Sequence, residues 1–468
     1  MSNPQASPAR AVALLVAAPA SGQGKTTVTA ALARWHTRQG RKVQVFKCGP
    51  DYLDPYWHQL ASGAPVHTLD GWMVGMQEVR ARLHTAACSA DVILIEGVMG
   101  LFDGSPTAAD LAVQLGVPVL GVVDATAMAG TFGALVLGMQ HYQPDVPWAG
   151  VLANRVASAH HAQLLQASLR DAGLWWGALP PLGQGKGTAL LPERHLGLVA
   201  AHELPDAMAR LNAAADALAA TPLGQLAWAD WQRWRVEFAP APAAAAGEQP
   251  WLQGRTVAVA SDAAFSFIYP ANLDCLQAMG ATLRFFSPLA GERLPACDAV
   301  WLPGGYPELH TAALQANIGL QADLRAHLAA GKALWAECGG MLALADGVRG
   351  ADADPAPQAL WGLLPGQVQM QPRLAGLGMQ QCAVQGGWLR GHTFHYSTLD
   401  SAAPVVARTC SPRGRGAGEA VYQHGSLHAS YFHAWFPSPP EAVAALLGAA
   451  PLRWGDAGAA TEGAGAHG

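Results

Sequence analysis

LLVAAPASGQGKTTVTAALAR, residues 14–34, decides how the first part of this chain folds. It reads as an apolar strand, a loop of small residues and the start of a helix. Such a loop exposes consecutive backbone N–H groups, and the first helical turn adds partial positive charge, so the junction suits a phosphate. Ser21, Gly22, Gly24, Lys25, Thr26 and Thr27 are the expected ATP-binding residues. Lys25 would neutralise terminal phosphates, and the Thr26 hydroxyl would reach a Mg2+ ion. The strict pattern G-x-x-x-x-G-K-[ST] fails, because Pro19 occupies its first glycine position; the looser G-x-x-x-G-x-G-K-T fits, with Ala18 at the leading glycine. A Gly-rich turn before a helix is the plainer reading, but strand, G-K-T-T and helix are all in place.

Outward from this segment, short apolar runs alternate with helix-length stretches: VALLVA (12–17), KVQVF (42–46), DVILIEG (91–97), VPVLGVVD (117–124) and AGVLANR (149–155). The stretch TTVTAALARWHTRQG has helical spacing and stops at Gly40. This alternation predicts an α/β fold, a mostly parallel sheet covered by helices on both faces. Near APAPAAAAGEQP the composition turns linker-like; the alternation resumes with TVAVA (256–260), LRFFS (283–287), AVWLPGG (299–305) and KALWAECGG (332–340). The expected division is a nucleotide-binding domain over 10–238, a linker over 239–252, a second α/β domain over 253–447 and a flexible tail over 448–468.

A length of 468 residues exceeds one ordinary core, and 51% hydrophobic residues supply enough for two. Only 13% of residues are charged and the net charge is −5, with no basic run, so nucleic acid is not an expected partner. Seven scattered cysteines form no C-x-x-C pair, which suggests a reducing, cytoplasmic setting. RAVALLVAAPA (10–20) imitates a secretory signal, but the phosphate loop claims it. The apolar stretch 116–139 is long enough for a bilayer, yet Asp124 near its centre would cost roughly 2.5–3.5 kcal/mol, and Pro118 and several glycines break it. A strand, a loop and a helix explain it better, so no membrane partner is expected.

Magnesium needs oxygen ligands, and acids stand just past two strands: Asp51 and Asp54 in KCGPDYLDP, Glu96 and Asp103 in EGVMGLFDG. Open α/β sheets bind ligands at that edge. A second site centres on KALWAECGGMLAL, where Cys338 lies between an apolar strand and an apolar helix. This is the pattern of a nucleophile elbow, and a helix start there would lower the thiol pKa. Gly339 with Gly340, and the pair Gly304 and Gly305 in LPGGYPELH, are candidate oxyanion donors. A histidine cluster (His392, His395, His424, His428 and His433) offers a base; His433, at the end of the strand-like run in ASYFHAWF, suits a rigidly aimed side chain. His392 and His395 are expected to serve structure or substrate contact.

The loop type is that of the dethiobiotin synthetase group. Together with GPDYLDP, EGVMGLFDG, LPERHLGL, SDAAFSFIYPANL, LPGGYPELH, AECGG and RGHTFHYS, the chain resembles the cobyrinic and hydrogenobyrinic acid a,c-diamide synthases from about residue 11 to 440. The resemblance implies a dethiobiotin synthetase-like P-loop domain followed by a class I glutamine amidotransferase domain. It implies ATP- and L-glutamine-dependent amidation of the a and c carboxylates of a corrin polycarboxylate. It places Thr26, Asp54 and Glu96 at the metal, Asp51 and Asp103 at the reacting carboxylate, Cys338 as glutaminase nucleophile and His433 as its base. A homodimer is left open. Many class I glutaminases carry H-x-E; here Trp435 stands at the glutamate position, so what orients His433 is undetermined. The rival within the class is cobyric acid synthase, which amidates other corrin carboxylates; partitioning ATPases carry an earlier lysine in the loop and no glutaminase half.

Overall fold

A strand that carries apolar residues at successive positions is stable only when covered on both faces, the situation of a parallel sheet. The computed structural model describes residues 7–182, 193–194, 197–198, 204–240, 249–351, 357–412, 414 and 418–455. The chain divides into two units, Met1–Ala245 and Ala246–Gly468. In the first, β1 (Ala9–Ala17), β2 (Val43–Cys48), β3 (His67–Leu69), β4 (Val92–Glu96), β5 (Val119–Asp124), β6 (Trp148–Asn154) and β7 (Trp175–Ala178) run in the order 3-2-4-1-5-6-7. All these pairs are parallel. A further strand, β8 (Arg235–Phe238), adds an antiparallel partner to the start of β1.

Central β1 feeds two cores by its two-residue period. Val12, Leu14 and Val16 join Trp35, Leu94 and Trp231 on one face. Ala13 and Leu15 join Leu83, Ile93 and Val119 on the other. Helix α1 (Lys25–Arg38) follows the loop, and Gly40, at φ 77, turns the chain after it. Helix α2 (Asp54–Ser62) starts just beyond β2. The apolar stretch 116–139 becomes β5, a loop and most of the helix Gly130–Tyr142. Among the described residues no helix is long and apolar enough to cross a membrane.

The second unit contains β9 (Thr256–Ala260), β10 (Thr282–Phe286), β11 (Ala299–Leu302), β12 (Ala333–Glu337), β13 (Gly376–Val384), β14 (Gly387–His395), β15 (Val405–Arg408), β16 (Ala420–His424), β17 (Leu427–Ser430) and β18 (His433–Ala434). Its main sheet has the order 10-9-11-12-17-16-15, parallel from β10 to β17 and antiparallel beyond. Strands β13, β14 and β18 make a separate antiparallel sheet. The run ASYFHAWF, expected as one strand ending at His433, breaks after Ser430. The Ser430 carbonyl accepts the Cys338 N–H at 2.7 Å as the last bond of the β12–β17 ladder, and its Oγ accepts the Phe432 N–H at 3.2 Å as the chain turns out of the main sheet. His433 therefore opens a two-residue strand and pairs with His392. Of the segments expected as linker and tail, residues 241–248 and 456–468 lie outside the described residues, while Trp454 bridges to Val384. LPERHLGL is described only as the paired strands Glu193–Arg194 and Gly197–Leu198.

Leu14 has no solvent exposure and sits where β1 meets the Trp35 face. Leu14→Ala is expected to cost the first unit about 2–5 kcal/mol, read as a lower urea midpoint of its unfolding transition.

Candidate active sites

The phosphate loop spans the seven residues from Ala18 to Gly24, between β1 and α1. Gly24 has φ 94, and a Cβ there would lie 2.2 Å from Asn154 Nδ2, so glycine is what lets the end of β6 close on the loop. Asn154 Nδ2 donates to the Gln23 carbonyl at 2.9 Å, and Gln23 Oε1 accepts the Asp124 N–H at 2.8 Å. The segment after β4 is zipped to the same loop: the Gly97 N–H donates to the Val16 carbonyl at 2.9 Å, and that of Leu101 to Ala18 at 2.8 Å. Lys25 Nζ lies across the loop, donating to the carbonyls of Ala20 at 3.1 Å and Met99 at 2.6 Å. Burial lowers its pKa below the ordinary lysine value, with Glu96 opposing. An arriving phosphate would give this ammonium a full charge in place of carbonyl dipoles.

Beneath the loop the acids converge. Thr26 Oγ1 donates to Glu96 Oε1 at 2.7 Å and lies 3.1 Å from Asp54 Oδ2. Lys47 Nζ stands 2.5 Å from Asp54, 2.9 Å from Glu96 and 3.5 Å from Asp51. His58 bonds the other Glu96 oxygen. Burial opposes the Lys47 charge, but Asp54, Glu96 and Asp51 outweigh it and hold the ammonium well above its usual pKa. Burial likewise opposes the Glu96 charge, and Lys47 and His58 outweigh it, so its carboxyl lies below the usual range. Asp51 Oδ1 accepts the N–H groups of Leu53 and Asp54 at 2.9 and 3.1 Å, tying down the start of α2. Asp103 accepts the Gly100 N–H at 2.9 Å, and its charge acts on Lys25. Ser21 and Gly22 are exposed, and Thr27 is half-buried on α1.

A magnesium ion suits this donor set. Among the described residues no three His, Cys, Asp or Glu side chains are arranged to hold a metal by themselves. One hydroxyl and two carboxylates converge here instead, matching the habit of Mg2+ of binding few protein oxygens and completing its shell with phosphates and water. Lys47 and His58 were not singled out in the sequence. The available signal was a lysine at the last position but one of the apolar strand VQVFKC, where it is 3% exposed.

In the second unit, Cys338 joins β12 to the short helix Gly339–Leu344 with φ 45, a left-handed conformation strained for cysteine. Its turn interlocks with the LPGG turn. A Cβ on Gly339 would lie 2.6 Å from the Gly305 carbonyl oxygen, and one on Gly304 would lie 2.4 Å from His433 Cε1. The two glycine pairs and His433 are thus gathered at one place. The His433 ring stacks on that of His392, with centroids 4.9 Å apart and planes at 14°. His392 Nε2 is 2.9 Å from Tyr269 Oη. This stack, set by the strand pairing of the two histidines, fixes the ring plane where a glutamate is missing. His395 instead bonds Glu419 at 3.1 Å and the Ser397 carbonyl at 2.8 Å.

The electrostatics differ from the expected lowered thiol pKa. Burial, and Glu308 after it, push the Cys338 thiol up. Burial also holds His433 well below its ordinary value. Burial thus favours the neutral thiol and the neutral imidazole. A helix of six residues does not overcome the loss of water around a buried sulfur. Glu308, like Lys47, was not singled out in the sequence, whereas His392 was expected to serve structure or substrate contact.

Two families match the chain. Residues 14–182 match the "CobQ/CobB/MinD/ParA nucleotide binding domain", and residues 256–440 the "CobB/CobQ-like glutamine amidotransferase domain". The chain is 55% identical to a hydrogenobyrinate a,c-diamide synthase of Pseudomonas aeruginosa, over 96% of this chain and 99% of that one. A protein of the same name from Stutzerimonas stutzeri is 55% identical over 93% and 98%. A cobyrinate a,c-diamide synthase of Herminiimonas arsenicoxydans is 49% identical over 93% and 96%.

Lys47→Ala would leave the buried Glu96 carboxylate without its cation. A loss of about 3–5 kcal/mol is expected in the first unit, measured by denaturant unfolding.

Proposed function

This chain belongs to the family of cobyrinate and hydrogenobyrinate a,c-diamide synthases, and from that premise we propose how its two sites divide one reaction. It is a glutamine-dependent ligase that uses ATP to amidate the a and c carboxylates of the corrin acid. The observation that carries the division is chemical. The first unit has a phosphate loop over a buried lysine–carboxylate cluster, and the second a strained cysteine beside a stacked histidine.

A carboxylate resists nucleophiles because of its negative charge. Transfer of the ATP γ-phosphoryl group to one of its oxygens makes an acyl phosphate and releases ADP. Lys25 leaves its carbonyl partners to hold the phosphates as charge moves. Thr26, Asp54 and Glu96 would hold magnesium, with Lys47 and His58 fixing the two carboxylates. Bound Mg2+ supplies shielding of phosphate charge. Asp51 and Asp103 belong beside the reacting carboxylate, each steadying a loop backbone there.

Ammonia is mostly protonated at neutral pH, so it must be released from glutamine as needed. His433 takes the Cys338 proton as sulfur attacks the glutamine amide carbon. The N–H groups of Gly304, Gly305 and Gly339 receive the oxyanion. His433 then protonates the departing nitrogen, leaving a glutamyl thioester and ammonia. Water cleaves the thioester to glutamate and restores the thiol, while ammonia displaces phosphate from the acyl phosphate. The two relatives at 55% identity bear the name of the metal-free ring, which supports hydrogenobyrinate as the preferred substrate. The cysteines, free throughout the described structure, support a cytoplasmic enzyme.

Cys338→Ala is expected to abolish glutamine-dependent amidation while ammonium-dependent amidation continues at close to its normal rate. Joint loss in a folded protein would refute the division. Lys25→Ala is expected to lower turnover at least about a hundredfold with either nitrogen source, and unchanged turnover would remove it from the nucleotide site.

A further inference from the structure

Among the described residues, one acidic group near the cysteine has no cationic partner. Glu308 lies on the turn Pro307–Leu309, just past Gly304 and Gly305. That turn packs against the helix headed by Cys338, and a Cβ on Gly339 would come 2.9 Å from Pro307 Cδ. Among charged groups, Glu308 acts most strongly on the Cys338 thiol. Among the described residues, only its own backbone N–H serves its carboxylate, and no cation acts on it.

Neighbouring acids are satisfied. Glu337 accepts Trp335 Nε1–H at 2.7 Å and the Ala434 N–H at 3.2 Å. Glu419 accepts the Thr393 hydroxyl at 2.8 Å besides bonding His395. Glu308 is half-buried, and burial raises its carboxyl to about 7. An unserved carboxylate in such a place is unfavourable, and its charge opposes thiolate formation next door. Both costs vanish if a cation arrives with the substrate. L-Glutamine carries one such group, its α-ammonium.

We propose that Glu308 recognises the α-ammonium of L-glutamine in the Cys338 site. This rests on the glutaminase reading of that site. Pairing satisfies the carboxylate and cancels the negative charge facing the sulfur, so the substrate's own charge eases proton transfer from Cys338 to His433. An amide without the α-ammonium forgoes both effects. Discrimination among amides and activation of the nucleophile then share one residue.

The test measures glutaminase kcat/KM of the full-length enzyme with L-glutamine and with glutaramate, which is glutamine without its α-amino group. Glu308→Gln is expected to lose about a hundredfold with L-glutamine, mostly in KM, and to lose nothing with glutaramate, whose turnover should rise as the opposing charge is removed. Without glutamine, alkylation of Cys338 by iodoacetamide should speed up in this variant. Equal losses on both substrates, no loss on either, or unaltered alkylation would overturn the proposal. Ammonium-dependent amidation reports whether the variant folds. Should it not fold, Glu308→Asp is decisive, because it must still prefer L-glutamine over glutaramate. Glutamine-dependent turnover surviving in Cys338→Ala would defeat the glutaminase reading itself, separately from these outcomes.

Discussion

Parallel strand pairing is the constraint from which both sites follow. A parallel ladder brings the ends of its strands to one edge, where each chain turns into a loop or a helix start. In the first unit the phosphate loop leaves β1, Lys47 is the last but one residue of β2 and Glu96 closes β4, and these three strands are adjacent. In the second, Gly304 and Gly305 follow β11 and Cys338 follows β12, again adjacent. Residues remote in sequence meet because the ladder aligns the strand ends, and the apolar alternation that builds the ladder therefore also builds the sites.

The two units differ in how closely their buried charges are paired. Under the phosphate loop, Lys47 and Glu96 lie close enough to hold each other charged without water, while burial and the neighbouring Asp51 push the Asp54 carboxyl up. Around Cys338 burial favours neutral forms at Glu337, raised to about 8, and His392, lowered to about 3, while Glu419, bonded to His395, stays below its usual range. The first arrangement suits a phosphate-transfer centre, which must keep its charges fixed as negative charge shifts between oxygens. The second suits a nucleophile that stays protonated until its substrate is bound.

Much was legible in the chain. The G-K-T-T junction, the acids of GPDYLDP and EGVMGLFDG, and E-C-G-G are local patterns whose residues need only their own strand and turn to be placed. The central strands of the two main sheets were visible because their apolar runs are short and regularly interrupted, while β3, β7, β8, β15 and β16 were not. Less was visible where a side chain's meaning comes from another strand. ASYFHAWF looked like one strand because its composition is uniformly β-like, yet it breaks after Ser430.

By itself the sequence determined two α/β units, the phosphate loop and the cysteine elbow, since each is written in consecutive residues. Tertiary structure alone decided that Lys47 lies between Asp54 and Glu96, that His433 is held by a stack on His392, and that Glu308 lies near the thiol with no cation beside it among the described residues. It also decided that Cys338 rests as a thiol. The physical reason is common to all four: charge state and orientation depend on distance and burial, and these exist only once distant strands have been brought to one edge.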